Sequence, residues 1–447
     1  MAGPLDAARA APLVDWSCGV SYVTGTCAHQ NGVSVMQLNQ PDIVVVGGGI
    51  AGASLSAVLA RRGVRVLLLE RQRAYRDRVR GEYMAPWGVL EARALGLEDV
   101  IRSTRAVDAR YSVAYDELVD PSAAERGKRD NSTIFPGVSG GLCASHPKTC
   151  QALADDAGRS GVDVVSGAAE IRVRPGKRPS VTYRDGREIE VRPRLVIGAD
   201  GRTSTVRRQS GIRMNQIPAT HVATGLLVEN AGKWPADQYS IGVEGDCMFF
   251  VFPQGDGRLR LYICHANEQA TRWAGRAGAQ RFIEAFAALR AIPESLGLGL
   301  VTPAGPCGTF GGDQTWCDEP CADGVVLAGD AGGYDNPVDG QGLSLALRDV
   351  RALSELLLSS ADWTTAGLRP YAEQRAERLR RMRRVSTTYA EFMTTFTDAG
   401  RARRARLYAA SRDGRDGLRL AMSAIFLGPD RLPATAFTDQ LHEAALA

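Results

Sequence analysis

The alternation of apolar and polar positions first becomes regular at Pro41. Ile43-Val44-Val45-Val46 is an uninterrupted β-branched run, the pattern of a strand buried on both faces. Residues 50–62 read as a helix closed by Gly63, and residues 64–69 as a second buried strand ending at Glu70. Together they predict a βαβ unit. Further on, residues 148–160 read as a helix, and 162–165, 181–183 and 195–197 as strands. The stretch from about 100 to 145 has no clear period. Between about 215 and 310 the pattern turns to β, with residues 247–253 and 259–265 flanking the turn signal Gln254-Gly255-Asp256-Gly257. Residues 325–328 form another short buried strand, which leads through a glycine-rich loop into a helix over 342–359. Past 365 the chain is helical and polar. Its arginines at 375, 378, 380, 381, 383 and 384 are read as a solvated helix face.

These elements predict an α/β fold: a Rossmann-like nucleotide-binding domain interleaved with an antiparallel β-sheet domain, plus C-terminal helices. The expected segments are 1–40, an N-terminal extension read as disordered or as an artefact of start-codon choice, then 41–110, 146–214 and 311–365 for the nucleotide-binding domain. Residues 111–145 and 215–310 would build the second domain, and 366–447 the helical region.

At 447 residues and 44% hydrophobic content the chain is long enough for two or three units with a sizeable core. Its net charge of +4 is too small over this length to imply nucleic acid as a partner. Nine irregularly spaced cysteines point to a reducing, cytoplasmic setting. No metal is expected, because Cys307, Cys317, Cys321 and His265 form no C-x-x-C pattern. Residues 43–60 carry no charge, near the lower limit for a membrane span. The glycines clustered at 47, 48, 49 and 52 argue instead for a strand-to-helix turn, so no membrane span is expected. The N-terminus has no pattern of a secretory signal.

Chemistry enters with Gly47-Gly48-Gly49-Ile50-Ala51-Gly52, a G-x-G-x-x-G sequence between a strand and a helix with Glu70 ending the next strand. Gly47 would permit the tight turn, Gly49 the approach of a pyrophosphate, and Gly52 close packing of helix on strand. The phosphates would sit on the helix N-terminus, and Glu70 would accept from the adenosine ribose. This motif alone does not choose between NAD and FAD.

Two further segments do. Gly198-Ala199-Asp200-Gly201-Arg202 and Val326-Leu327-Ala328-Gly329-Asp330-Ala331 resemble the "DG" and "GD" motifs of the single-component FAD-dependent monooxygenases typified by para-hydroxybenzoate hydroxylase. All three fingerprints occur in that family's order, and the resemblance covers about residues 41–390. It implies FAD as cofactor, with NADPH or NADH as transient electron donor, and O2 and a small molecule as substrates. Oxygen would pass through a flavin C4a-hydroperoxide to an aromatic or polyketide-like compound, by hydroxylation or epoxidation. Asp330 would accept from the ribityl chain, and the helix N-terminus after Gly340, Gln341 and Gly342 would face the flavin pyrimidine. Asp200 and Gly201 would hold FAD from the far side, Arg207 would structure that turn, and Arg80, with Arg78 in reserve, and His146 would contact the cofactor. Pro337, Tyr334 and Asp335, in the flavin-proximal loop, are the candidate catalytic residues. Trp87, Phe249, Phe250, Phe252 and Tyr262 are read as core aromatics before substrate-chamber lining.

The alternative is an FAD-dependent prenyl-chain reductase of the geranylgeranyl reductase type, which carries a segment like Arg80-Gly81-Glu82. A flavin-dependent halogenase would carry W-x-W-x-I-P, and none of the six tryptophans begins one. A non-catalytic FAD-binding protein is the remaining reading. Substrate identity and oligomeric state are not written in these motifs.

Overall fold

The computed structural model describes residues 40–79, 81–412 and 418–446. The expected extension at 1–40 therefore falls, but for its last residue, outside the described residues. The apolar run at 43–46 becomes the Ile43–Val46 strand, at the centre of a six-stranded sheet. Val66–Glu70 and Asp163–Ser166 lie to one side, and Leu195–Gly198, Val325–Leu327 and Cys321–Ala322 to the other. All neighbours are parallel except the last pair. Side chains alternate across this sheet. Ile43 and Val45 point into a core shared with the helices Ile50–Ala60, His146–Arg159 and Gly342–Ser359. Val44 and Val46 point to the opposite core, where a three-stranded antiparallel sheet of residues Ala169–Arg174, Ser180–Asp185 and Arg187–Val191 covers them. A layer on each face explains why the central strand is apolar throughout. The uncharged stretch 43–60 is thus strand, turn and helix, and among the described residues no helix is long and apolar enough to cross a membrane.

The second sheet has eight strands. Its body is His221–Glu229, Leu259–Ala266, Cys247–Pro253 and Gln238–Glu244, with the expected hairpin turn at 254–257 joining two of them. It is not purely antiparallel: Gln238–Glu244 pairs in parallel with Tyr111–Asp116, a strand from the stretch without clear period. One face, carrying Phe249, Val251, Leu261 and Ile263, packs on Trp273, Phe282 and Phe286. The other carries Phe250, Phe252, Tyr262 and Cys264 toward the nucleotide-binding domain.

The long helix Arg369–Met393 corrects the solvated-face expectation. Arg375 and Arg378 are each only 1% exposed. Both pair with the buried Asp349 at 2.7 Å. Arg375 also donates to the carbonyls of Gly329, Gly332 and Gly333. A charge cluster in sequence is a solvated face only when no buried acceptors wait opposite, and here a loop of carbonyls and one carboxylate did.

Candidate active site

The two sheets enclose one continuous cavity of about 750 Å³. Its near end is the turn after the Ile43–Val46 strand. Gly47 takes φ +104°, and a Cβ there would lie 2.4 Å from the Ala199 carbonyl oxygen. A Cβ on Gly52 would come within 1.8 Å of the Gly47 oxygen, so helix and strand meet there without room for a side chain. Gly49, which caps the helix Ile50–Ala60, is different: a Cβ there meets nothing within 4 Å. The open edge of the turn and the free N–H groups of the helix start therefore face the cavity together, as an anion requires. Glu70 is 6% exposed at the cavity wall, accepting from the N–H of Gly48 at 2.7 Å and of Gln72 at 2.8 Å. Tyr75, which the sequence did not single out, donates to the Gly48 carbonyl at 2.6 Å and closes the outer side of the turn.

The middle of the cavity is built by the second and third motifs. Gly201 has a positive φ and open space beside it. The Asp200 carboxylate accepts from Ser204 Oγ at 2.5 Å and from the Thr205 N–H at 2.6 Å, which caps the short helix Thr205–Gln209. It shapes the turn that lines the cavity. Arg207 donates to the carbonyls of Arg202 and Ala331, tying the two motifs together. Asp330 stands at the wall with Arg202 Nε 3.5 Å from its carboxylate. The Arg202 guanidinium stacks on the ring of Tyr334 at 4.3 Å. His146, at the start of its helix, lies against Gly81 and 3.7 Å from Cys150 Sγ, also on the cavity wall. Arg78 lines the cavity, whereas Arg80 lies outside the described residues.

Pro337 opens a short 3₁₀ turn, Pro337–Asp339, that leads through Gly340 and Gln341 to the helix Gly342–Ser359. Gln341 is buried, donating to the Asp339 carbonyl and accepting from the indole of Trp87. A Cβ on Gly342 would again meet nothing, so this second helix start also opens onto the cavity. Asp335, a catalytic candidate, contributes to the wall but its carboxylate oxygens are engaged by Gln314, Asn336 and Ser386. That geometry anchors a loop.

At the far end the cavity meets Phe250, Phe252, Tyr262 and Phe310. All five aromatics are buried in the core, and Phe250, Phe252 and Tyr262 line the chamber as well, because alternation along the strand sends them to the inner face. Behind them lies a polar cluster invisible to sequence reading. The Tyr262 hydroxyl donates to Glu82, whose other oxygen is 3.3 Å from Arg260 Nε. Arg260 reaches Asp77 at 2.5 Å. Burial raises the Glu82 carboxyl above its ordinary range against the pull of Arg260 and the Tyr262 hydrogen bond, and it pushes the Tyr262 hydroxyl well up. His221, likewise unforeseen, joins the second sheet to the loop through Asn336 at 3.2 Å, and burial holds its pKa down. These pairs unite strands far apart in the chain, which no local pattern reveals.

The cavity's two open helix starts, its glycine edge and its wall carboxylates fit an extended dinucleotide such as FAD. A family model described as FAD binding domain matches residues 40–386. Squalene epoxidase 3 of Arabidopsis thaliana is 26% identical over 354 residues, covering 77% of this chain and 64% of the relative. For 6-methylpretetramide 4-monooxygenase of Streptomyces rimosus the identity is 26% over 388 residues, with 79% and 84% covered. The chain spans under two thirds of the length of the squalene epoxidases that it matches. The solved structure of p-nitrophenol 4-monooxygenase PnpA from Pseudomonas putida DLL-E4 shares the fold, with a TM-score of 0.72 at 20% identity over 88% of this chain and 99% of that one. A family match of this extent, laid over a cradle that a dinucleotide fits, means that this chain belongs to the FAD-binding-domain family.

Proposed function

We propose that the chain is an FAD-dependent, NAD(P)H-consuming monooxygenase that hydroxylates or epoxidises an aromatic or polyketide-like small molecule. The observation that carries this reading is the continuity of one cavity from the glycine turn at Gly49 to the aromatic wall at Phe250, Phe252 and Phe310. The chemistry supplied by bound FAD is hydride acceptance from the nicotinamide and reductive activation of O2. The protein's residues do the rest. Gly47, Gly49, Gly52 and Glu70 hold the adenosine end, Asp200, Gly201 and Asp330 line the middle, and the start of the helix Gly342–Ser359 offers N–H groups to developing negative charge. The aromatic wall orients a flat apolar substrate and excludes water, and Tyr262 with Glu82 presents the polar contact of that chamber. His146 and Arg78 supply the outer contacts to the cofactor, and Tyr334 and Pro337 form the edge between cofactor and substrate. The names of the relatives, epoxidases and monooxygenases, favour oxygen transfer over prenyl-chain reduction. A reducing cytoplasm suits the seven described cysteines, all of which are unpaired thiols.

The test is the flavin absorbance of the purified protein, followed without oxygen after NADPH or NADH is added and then after air is admitted. Bleaching and recovery, with oxygen incorporated into an added aromatic compound, is the expected result. Reduction that reoxidises only by passing electrons to a prenyl-chain double bond would replace this reading with the reductase.

A further inference from the structure

Ser386, on the long helix, stands between two buried carboxylates of the flavin-side loop. Its Oγ lies 2.7 Å from Asp335 Oδ2 and 2.5 Å from Asp339 Oδ2. The carbonyl of Met382 is a third acceptor at 2.9 Å. A hydroxyl has one hydrogen, so it satisfies one of these three oxygens. With both carboxylates ionised, at least one charged oxygen would face the Ser386 oxygen with no proton between them. The two acids are otherwise unequal. Asp335 Oδ1 accepts from Gln314 Nε2 and from the Asn336 N–H, both at 2.8 Å, as an ionised carboxylate does. Asp339 is more weakly supported: its Oδ1 is buried without a hydrogen-bond partner, in a residue 6% exposed.

We propose that Asp339 is a protonated acid at neutral pH that donates to Ser386 Oγ, which in turn donates to ionised Asp335, so that one proton latches the flavin-side loop onto the helix Arg369–Met393. Asp339 is thereby a positioning residue, setting the approach of Gly340 and of the helix start at Gly342. The backbone N–H groups of Gln341 and Asp339 favour charge on Asp339, and burial outweighs them. Arg383, on the same helix as Ser386, favours the charge on Asp335. Tyr389 faces Asp339 from that helix with its hydroxyl kept neutral by burial. Gln314 comes from the neighbouring strand, and His221, kept neutral by burial, reaches the loop through Asn336. Burial and then the nearby Asp335 charge hold the Asp339 carboxyl well above the carboxylate range.

The proposal depends on the FAD reading only for which loop is latched. Its test is made on the flavin-loaded protein by infrared spectroscopy and by stability against pH. At pH 7 a protonated-carboxyl band is expected, lost in Asp339→Asn, whose amide can still donate to Ser386. The wild-type folding constant should fall about tenfold per pH unit between the ordinary carboxylate range and the Asp339 pKa, because only the folded state keeps the proton there. Asp339→Asn should lack that component of the slope. Should that variant fail to fold, Ser386→Ala must shift the band, since it removes the acid's acceptor. A band unchanged in Asp339→Asn, or unmoved in Ser386→Ala, or a full slope retained by Asp339→Asn, overturns the proposal. A protein that binds no flavin would refute the functional reading, yet the same two measurements would still decide the proton.

Discussion

At the scale of single residues, the three glycines of the first motif do different work, and substitution separates them. Gly49→Val places its side chain in open space on the cavity side, so the protein should fold normally and lose FAD. Gly52→Ala puts a methyl group into the Gly47 carbonyl, so it should destabilise the fold itself. Paired measurements of flavin retention and chemical denaturation check both, and equal flavin loss with equal destabilisation would refute the distinction. Tyr262→Phe removes the donor to Glu82 and strands a buried oxygen, with an expected cost of about 1–3 kcal/mol in denaturation. The same variant should weaken turnover of substrates that carry a polar group while sparing FAD affinity. The glycine motif was legible in the sequence because its residues lie together in one turn, where Gly47 takes a positive φ and Gly52 meets the Gly47 carbonyl. Glu82, Tyr262 and Arg260 were not, because their contacts join residues about 180 positions apart.

Secondary-structure elements show where local pattern succeeds. The strand Ile43–Val46 and the helix Gly342–Ser359 stand where the apolar periodicity placed them, since both bury faces against a core on every turn or residue. The long helix Arg369–Met393 was recognised as a helix but assigned the wrong surroundings. Its polarity is real, yet Arg375 turns inward to satisfy three carbonyls of the Gly329–Gly333 loop and the Asp349 carboxylate. Arg375→Ala would leave that buried carboxylate with Arg378 as its remaining cation and would take the guanidinium donor from the loop carbonyls. We expect a loss of about 3–5 kcal/mol and release of FAD from the folded fraction, read by denaturation with flavin fluorescence. A destabilisation below about 1 kcal/mol would show that the helix face is replaceable.

On the scale of the whole molecule, FAD loading and cooperative unfolding should be coupled. The helix Arg369–Met393 packs on the second sheet's inner core and, through Arg375 and Ser386, on the loops of the nucleotide-binding domain. Removing FAD should therefore lower the unfolding free energy of the entire protein, by about 2.7 kcal/mol relative to FAD at one hundred times its Kd. Tryptophan fluorescence and flavin release should report one coincident transition, and two well-separated transitions would show independent domains. The sequence by itself determined the alternation of strand, turn and helix and the three glycine motifs, because backbone conformation and burial period are set by residues near one another. Tertiary structure alone decided that Phe250 and Tyr262 face a chamber, that Arg375 is buried, and that Asp335 and Asp339 meet at one serine. Those outcomes depend on which distant surface arrives opposite each side chain, and only the folded chain brings such surfaces within a few ångströms.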